Sequence, residues 1–263
     1  MRKKPETPQL DLESASHLDF ASLELGYESL RKLARNPNLS DNEKIAFGRR
    51  NRNEPAIFAD ILAKLPALKD TGRKIVDIGS GCGPLARLLI EHCAAQRHRL
   101  VLVDSPEMLA LLPERCGAIK VEGPFPANAA AVIDAVGGGA DGILCYSVLH
   151  VIYVDANPFH VIDDIIELLA PRGCALVGDI PNMSKRKRFF ASATGADFHR
   201  RFMNTEDPPE ITFNRPERGK IDDAVLAGIV QRAQSAGCDA YVLPQADDLP
   251  FANRRDDLLI RKP

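Results

Sequence analysis

The sequence predicts an α/β fold built on a doubly wound, Rossmann-like sheet with a helical cap before it, and three observations carry that expectation. Residues 74–84 read Lys-Ile-Val-Asp-Ile-Gly-Ser-Gly-Cys-Gly-Pro. A short apolar run of β-forming residues thus ends at an acid and opens into three alternate glycines, the pattern of a buried strand handing over to a helix. A second apolar run, Leu100 to Val103, ends in Asp104, 21 residues beyond Gly83. Beyond it, short apolar runs alternate with segments of helical period, as strands and covering helices do in one α/β domain.

Taken in order, residues 1–15 read as a polar, flexible tail. Residues 16–70 form the helical cap. Leu23, Tyr27, Leu30 and Leu33 have helical spacing, Asn36-Pro37-Asn38 breaks it, and Ser40-Asp41-Asn42-Glu43 restarts it with a capping-box pattern. A third helical run carries Ile57, Phe58, Ile61, Leu62 and Leu65 on one side and ends at Pro66. The main domain, residues 71–263, is expected to hold strands at 74–78, 99–103, 118–122, 142–147, 174–179, 238–243 and 257–261. Helices are expected around 85–95, 106–112, 127–136, 157–170 and 221–236. Residues 181–219, rich in charge, Pro and Phe, break the alternation and read as an insertion after the fifth strand.

The glycine turn suits a ligand. Each glycine removes a Cβ where the chain turns tightly or a ligand approaches, and Pro84 fits a first helical turn, where its missing N–H would be unpaired anyway. A turn that bound nothing would have no need of three glycines. Asp104, on the tip of the neighbouring strand, is placed to accept hydrogen bonds from ribose hydroxyls. The dinucleotide fingerprint requires a third glycine where this chain has Pro84, which weakens an NAD reading.

Asp77-x-Gly79-x-Gly81-x-Gly83 followed by Asp104 resembles the signature of class I S-adenosylmethionine-dependent methyltransferases, and the resemblance runs through residues 70–263 as elements in the family's order. It implies a seven-stranded sheet whose last strand is antiparallel, with S-adenosyl-L-methionine as cofactor. It also implies that Asp77 helps hold the methionine ammonium and that Gly79, Ser80, Gly81 and Gly83 pass under the methionine and ribose. Asp104, with Ser105 beside it, would bind the ribose diol. Many family members place an acid after a glycine at the end of the third strand, for the adenine amino group. Here the segment is Val121-Glu122-Gly123-Pro124-Phe125. Either Glu122 substitutes, or backbone groups with Phe125 and Met108 hold the adenine; the β period of two favours the second, because it points Glu122 elsewhere.

On the acceptor side, the fourth strand runs into Cys145-Tyr146-Ser147-Val148-Leu149-His150. The Asn/Asp-Pro-Pro-aromatic motif of base-directed amino methyltransferases is missing, and the wording is similar to the small-molecule, oxygen-directed branch. That resemblance implies His150 as a base or acceptor ligand, set against a histidine that only caps the strand end. Tyr146 fits core packing better than catalysis. Asp179 and Asn182 lie at the expected ligand edge, where shaping the turn around Pro181 is the simpler role. Arg49-Arg50-x-Arg52 and Lys185-Arg186-Lys187-Arg188 are each either a solvated face or a frame for an anionic acceptor. The Gly-Asp-Ile-Pro-Asn stretch (178–182) is similar to methyltransferases of bacterial surface-sugar pathways.

A formal net charge of −2 offers no global attraction to nucleic acid or an anionic membrane. Six cysteines without a Cys-x-x-Cys pair argue against a structural zinc and for a reduced, cytoplasmic setting. The expected function is methyl transfer to a small or medium acceptor, at oxygen, the acceptor being sugar-like or anionic. Methylation of RNA or protein, or a non-catalytic cofactor-binding subunit, are the alternatives.

Overall fold

The computed structural model describes residues 26–45, 53–114, 117–215 and 217–263. Among them, seven strands form one sheet in the order β3-β2-β1-β4-β5-β7-β6. These are β1 Lys74–Ile78, β2 Arg99–Asp104, β3 Ile119–Glu122, β4 Ala140–Tyr146, β5 Leu169–Pro181, β6 Asp239–Pro244 and β7 Arg255–Arg261. Strands β1 to β5 pair in parallel, and β7 runs antiparallel to β5 and β6. This is the expected Rossmann-like sheet with an antiparallel last strand.

The central strands are apolar on both faces because both faces are covered. Val76, Ile78, Val101, Val103, Ile143 and Val177 point to one side, where they pack with Val132 and Val136 of α6 (Ala129–Val136), Ile162 and Ile165 of α8 (Pro158–Leu168) and Ile229 of α11 (Asp223–Ser235). The alternate residues Ile75, Leu100, Leu102, Leu144 and Leu176 meet Ile57 and Ile61 of α3 (Glu54–Lys64) and Leu89 and Ile90 of α4 (Pro84–Ala95) on the other. Two helical layers therefore sandwich the sheet, and α3 belongs to one of them.

Ahead of this sandwich lie α1 (Tyr27–Arg35) and α2 (Asp41–Lys44). The Ser40–Glu43 capping box forms, with Ser40 accepting from the Glu43 amide and the Glu43 carboxylate accepting from the Ser40 amide. Leu23 and the Arg49–Arg52 cluster lie outside the described residues. After α3 the chain adds a 3-10 turn at Pro66–Lys69, where the sequence suggested an end.

Three helices differ from expectation. Leu149–Asp155 forms α7 just beyond the expected end of the fourth strand, where no helix was expected and several residues favour strands. The 181–219 insertion, for which no element was expected, holds α9 (Met183–Phe190) and α10 (Ala193–Met203). Each is started by a side-chain cap: Asn182 accepts from the Ser184 and Lys185 amides, and Ser192 from the Gly195 amide.

Candidate cofactor and acceptor site

The C-terminal tips of β1, β2 and β4 surround a cavity of about 300 Å3. Its floor is the turn after β1. Gly79 and Gly81 have φ of +70° and +63°, a region L side chains rarely adopt. Gly83 caps α4, and Pro84 is its first residue. The turn is tied to β2: the Gly79 amide donates to the Val103 carbonyl at 2.7 Å, and the Gly81 amide donates to Asp104 Oδ2 at 2.8 Å. Asp104 Oδ1 accepts from the Ser105 amide at 2.6 Å.

Of the residues singled out in sequence, Gly79, Ser80, Gly81, Gly83, Asp104, Met108 and Phe125 all line the cavity. Three do not. Ser105 is buried and caps α5 (Pro106–Ala110), accepting from the Met108 amide. Asp77 is 5% exposed and stands outside the wall that Ile78 and Gly79 form. His150 lies at the start of α7, while its neighbours Ser147, Val148 and Val151 face the cavity. The Ser80 hydroxyl is buried with no hydrogen-bond partner among the described residues, so the floor presents an unused polar atom.

The opposite walls come from three places. Gly123, Pro124, Phe125, Pro126 and Ala127 follow β3, with a cis bond between Phe125 and Pro126. Glu122 is exposed and its carbonyl accepts from the Asn128 amide group. Tyr146 and Ser147 leave β4, Ser147 at φ +67°, and α7 continues the wall with Val151, Ile152 and Asp155. The third wall was not legible in sequence: Tyr27 and Leu30 of α1, and Ile45 just after α2.

Helix α1 is fastened at both ends of the cavity. Arg31 donates twice to Glu107 on α5, at 2.9 and 2.8 Å, and Arg35 adds a further contact. The Tyr27 amide donates to Asp155 Oδ2 at 2.9 Å. The Arg31 hydrogen bonds hold the Glu107 carboxyl down at about 2. Ile45 presses on the glycines, since a Cβ added at Gly83 would lie 2.6 Å from its Cδ1.

Electrostatically the cavity is acidic. Asp104 and Asp155 line it, and no Lys, Arg or His does among the described residues. Burial, then the nearby Asp104 charge, pushes the Asp77 carboxyl up to about 8. Burial raises Asp104 to about 6 despite the amides bonded to it. Two buried acids of this kind favour a cationic guest.

The remaining candidates serve the structure. Asp179, at φ +58°, accepts from Arg255 Nη1 at 3.0 Å, and its amide donates to Asp257 Oδ1 at 2.7 Å. Asn182 donates to Asp223 and Asp256 at 2.7 and 2.8 Å while capping α9. Within the basic run, Lys185 pairs with Asp256, Lys187 with Glu217 and Arg188 with Asp223, while Arg186 stacks on Phe190 at 5.0 Å. Each has a partner within the chain, Arg186 and Arg188 at the exposed surface, and none lines the cavity.

Protein-family models and curated proteins give no match to the chain. Solved structures do. The N-methyltransferase NodS from Bradyrhizobium japonicum WM9, in complex with S-adenosyl-L-homocysteine, is 15% identical, with 90% of this chain and 98% of that one covered and a TM-score of 0.53. The plantazolicin methyltransferase BamL, in complex with a triazolic desmethylPZN analog and S-adenosylhomocysteine, is 14% identical over 90% of this chain and 99% of its own, with a TM-score of 0.56. BpumL, a second plantazolicin methyltransferase, is 11% identical over the same shares, at 0.55. At these identities the likeness is one of fold: the sheet order is that of the Rossmann-like methyltransferases.

Proposed function

We propose that the chain binds S-adenosylmethionine in this cavity and is a methyltransferase acting on a small or medium acceptor. One observation carries the reading: a glycine floor with two left-handed residues lies beside two buried acids whose carboxyls are pushed upward, in a cavity without a cation on its described wall. Such a wall opposes a pyrophosphate and favours a ligand with an ammonium, a sulfonium and a diol. The solved methyltransferases of the same fold, with S-adenosylhomocysteine bound, support it.

In this reading Asp104 accepts from the ribose hydroxyls, Gly79 to Gly83 with the Ser80 hydroxyl face the methionine part, and Phe125 and Met108 contact the adenine. Asp77 holds its proton at neutral pH in the cofactor-free protein and, from outside the wall, gains negative charge as an arriving ammonium lowers its pKa. When bound, the cofactor supplies an electrophilic methyl group. The protein's share is alignment and exclusion of water, which the apolar Leu30, Ile45, Val148 and Val151 provide. His150 has no place on the cavity wall, so no general base is assigned to it.

Thermal shift with S-adenosylmethionine, S-adenosylhomocysteine and NAD tests the reading, because a ligand specific to the native state stabilises it by about 2.7 kcal/mol at a hundred times its Kd. We expect stabilisation by the first two and not by NAD. Stabilisation by NAD alone would overturn it.

A further inference from the structure

Helix α7 supplies one wall of the cavity, and the end of the cavity along it has a chemical character of its own. Residues Val148, Val151, Ile152 and Asp155 recur at helical spacing along one face of the α7 segment and all line the cavity. Val148 stands against the glycine floor: a Cβ at Gly79 would lie 2.6 Å from its Cγ2. Asp155 lies seven residues further, about 10 Å along a helix rising 1.5 Å per residue. Between them the wall is aliphatic, and at its far end stands a single carboxylate facing Tyr27.

Only one oxygen of that carboxylate is engaged. Asp155 is exposed at the cavity's mouth; Oδ2 accepts from the Tyr27 amide, and Oδ1 has no hydrogen-bond partner among the described residues. No described cation lines the cavity to neutralise it; the Lys185–Arg188 run lies off its wall and pairs with Asp256, Glu217 and Asp223, with Arg186 over the Phe190 ring.

We propose that the acceptor is a small apolar amine that enters as its cation, with its hydrocarbon body along Val151 and Ile152 and its ammonium on Asp155. The nitrogen gives its proton to that exposed carboxylate before its lone pair takes the methyl, and the sulfur keeps the electron pair of the broken bond as S-adenosylhomocysteine leaves. The inference rests on the cofactor reading above and deepens it. It reverses the anionic acceptor that the basic runs suggested in sequence. A carboxylate or phosphate at this end of the cavity would face Asp155 with no described counter-charge. An ammonium there gains a charge-assisted hydrogen bond while its apolar body covers aliphatic wall.

The test uses the protein saturated with S-adenosylhomocysteine, binding of which is first measured by calorimetry; failure at that stage strikes the cofactor reading itself. Three probes of matched shape, 2-phenylethylamine, 2-phenylethanol and 3-phenylpropionate, are then titrated and followed by saturation-transfer NMR. One charge-assisted bond corresponds to about tenfold in affinity or more. We expect the amine to bind at least about tenfold more tightly than the alcohol, and the carboxylate more weakly than either. Asp155→Asn keeps an oxygen for the Tyr27 amide but removes the charge. It should cost the amine about tenfold while leaving S-adenosylhomocysteine and the alcohol within about twofold. Tighter binding of the carboxylate, as the Arg49–Arg52 cluster would cause if it framed the entrance, overturns the proposal. So does the absence of saturable amine binding, or equal amine affinity in Asp155→Asn.

Discussion

At Gly79 the backbone and its neighbour leave no room for a side chain: φ is +70° and Val148 Cγ2 would stand 2.6 Å from an added Cβ. A left-handed conformation costs an ordinary residue about 1–2 kcal/mol, and here it is joined by a clash with a branched side chain. Gly79→Ala should therefore lower unfolding free energy in urea by at least about 1–2 kcal/mol. The buried acids make a second residue-scale prediction. Asp77 and Asp104 titrate in the fold at about 8 and about 6, above the 3.8 of an unstrained carboxyl. The folded protein then holds protons that the unfolded chain has released, so their contribution to stability is fully present below pH ~4 and is lost as pH rises toward 8. Cofactor-free protein should show a falling melting temperature over that window. Saturation with S-adenosylmethionine, whose positive charges lower both values, should flatten the slope. The glycines, Asp104 and Phe125 were legible because strand, turn and helix fix their spacing along the chain. Tyr27, Ile45 and Asp155 were not, since only tertiary packing brings them to the cavity.

Helix α1 shows what a single element adds. Glu107 receives both Arg31 and Arg35, and that joint holds Tyr27 and Leu30 over the cavity. Glu107→Gln removes the charge while the α1 sequence stays intact. We expect faster amide exchange in residues 27–35 and a several-fold loss of cofactor affinity, with exchange in the central strands unchanged; surface pairs are individually weak, so the effect belongs to α1 and not to the fold. The elements themselves were unevenly legible. All seven strands were readable, the five parallel ones because buried parallel strands are short apolar runs bounded by turns, and β6 and β7 because they too are short runs of strand-favouring residues between polar segments. Helix α7 was hidden by Val151, Ile152 and Val154, residues that favour strands, and it forms a helix because its cavity face and its contacts with β5 override that preference. Helices α9 and α10 were hidden by their charge; their Asn182 and Ser192 caps were the available signal.

Across the whole molecule, the antiparallel end of the sheet carries a buried polar network. Lys64 on α3 donates to Asp257 on β7 at 2.7 Å and to Asp60 at 2.6 Å. Asp257 is fully buried, and burial raises its carboxyl although Lys64 opposes this. Gln245 joins it to Asp179 and to the Tyr146 hydroxyl. Removing one member of a buried pair leaves an uncompensated charge, so Lys64→Met should cost about 3–5 kcal/mol in chemical unfolding. None of this network was evident from the chain, because Lys64 and Asp257 are 193 positions apart.

The claim that most depends on the fold is that Asp104, held between Gly81 and Ser105, is the anchor of the cofactor site. Titration calorimetry of S-adenosylhomocysteine into the wild-type protein and Asp104→Ala, with circular dichroism showing both folded, measures it directly. We expect saturable one-to-one binding by the wild type and a loss of at least about tenfold in the variant, the worth of a charged acceptor to a hydroxyl. No binding to the wild type, or equal affinity in Asp104→Ala, would contradict it.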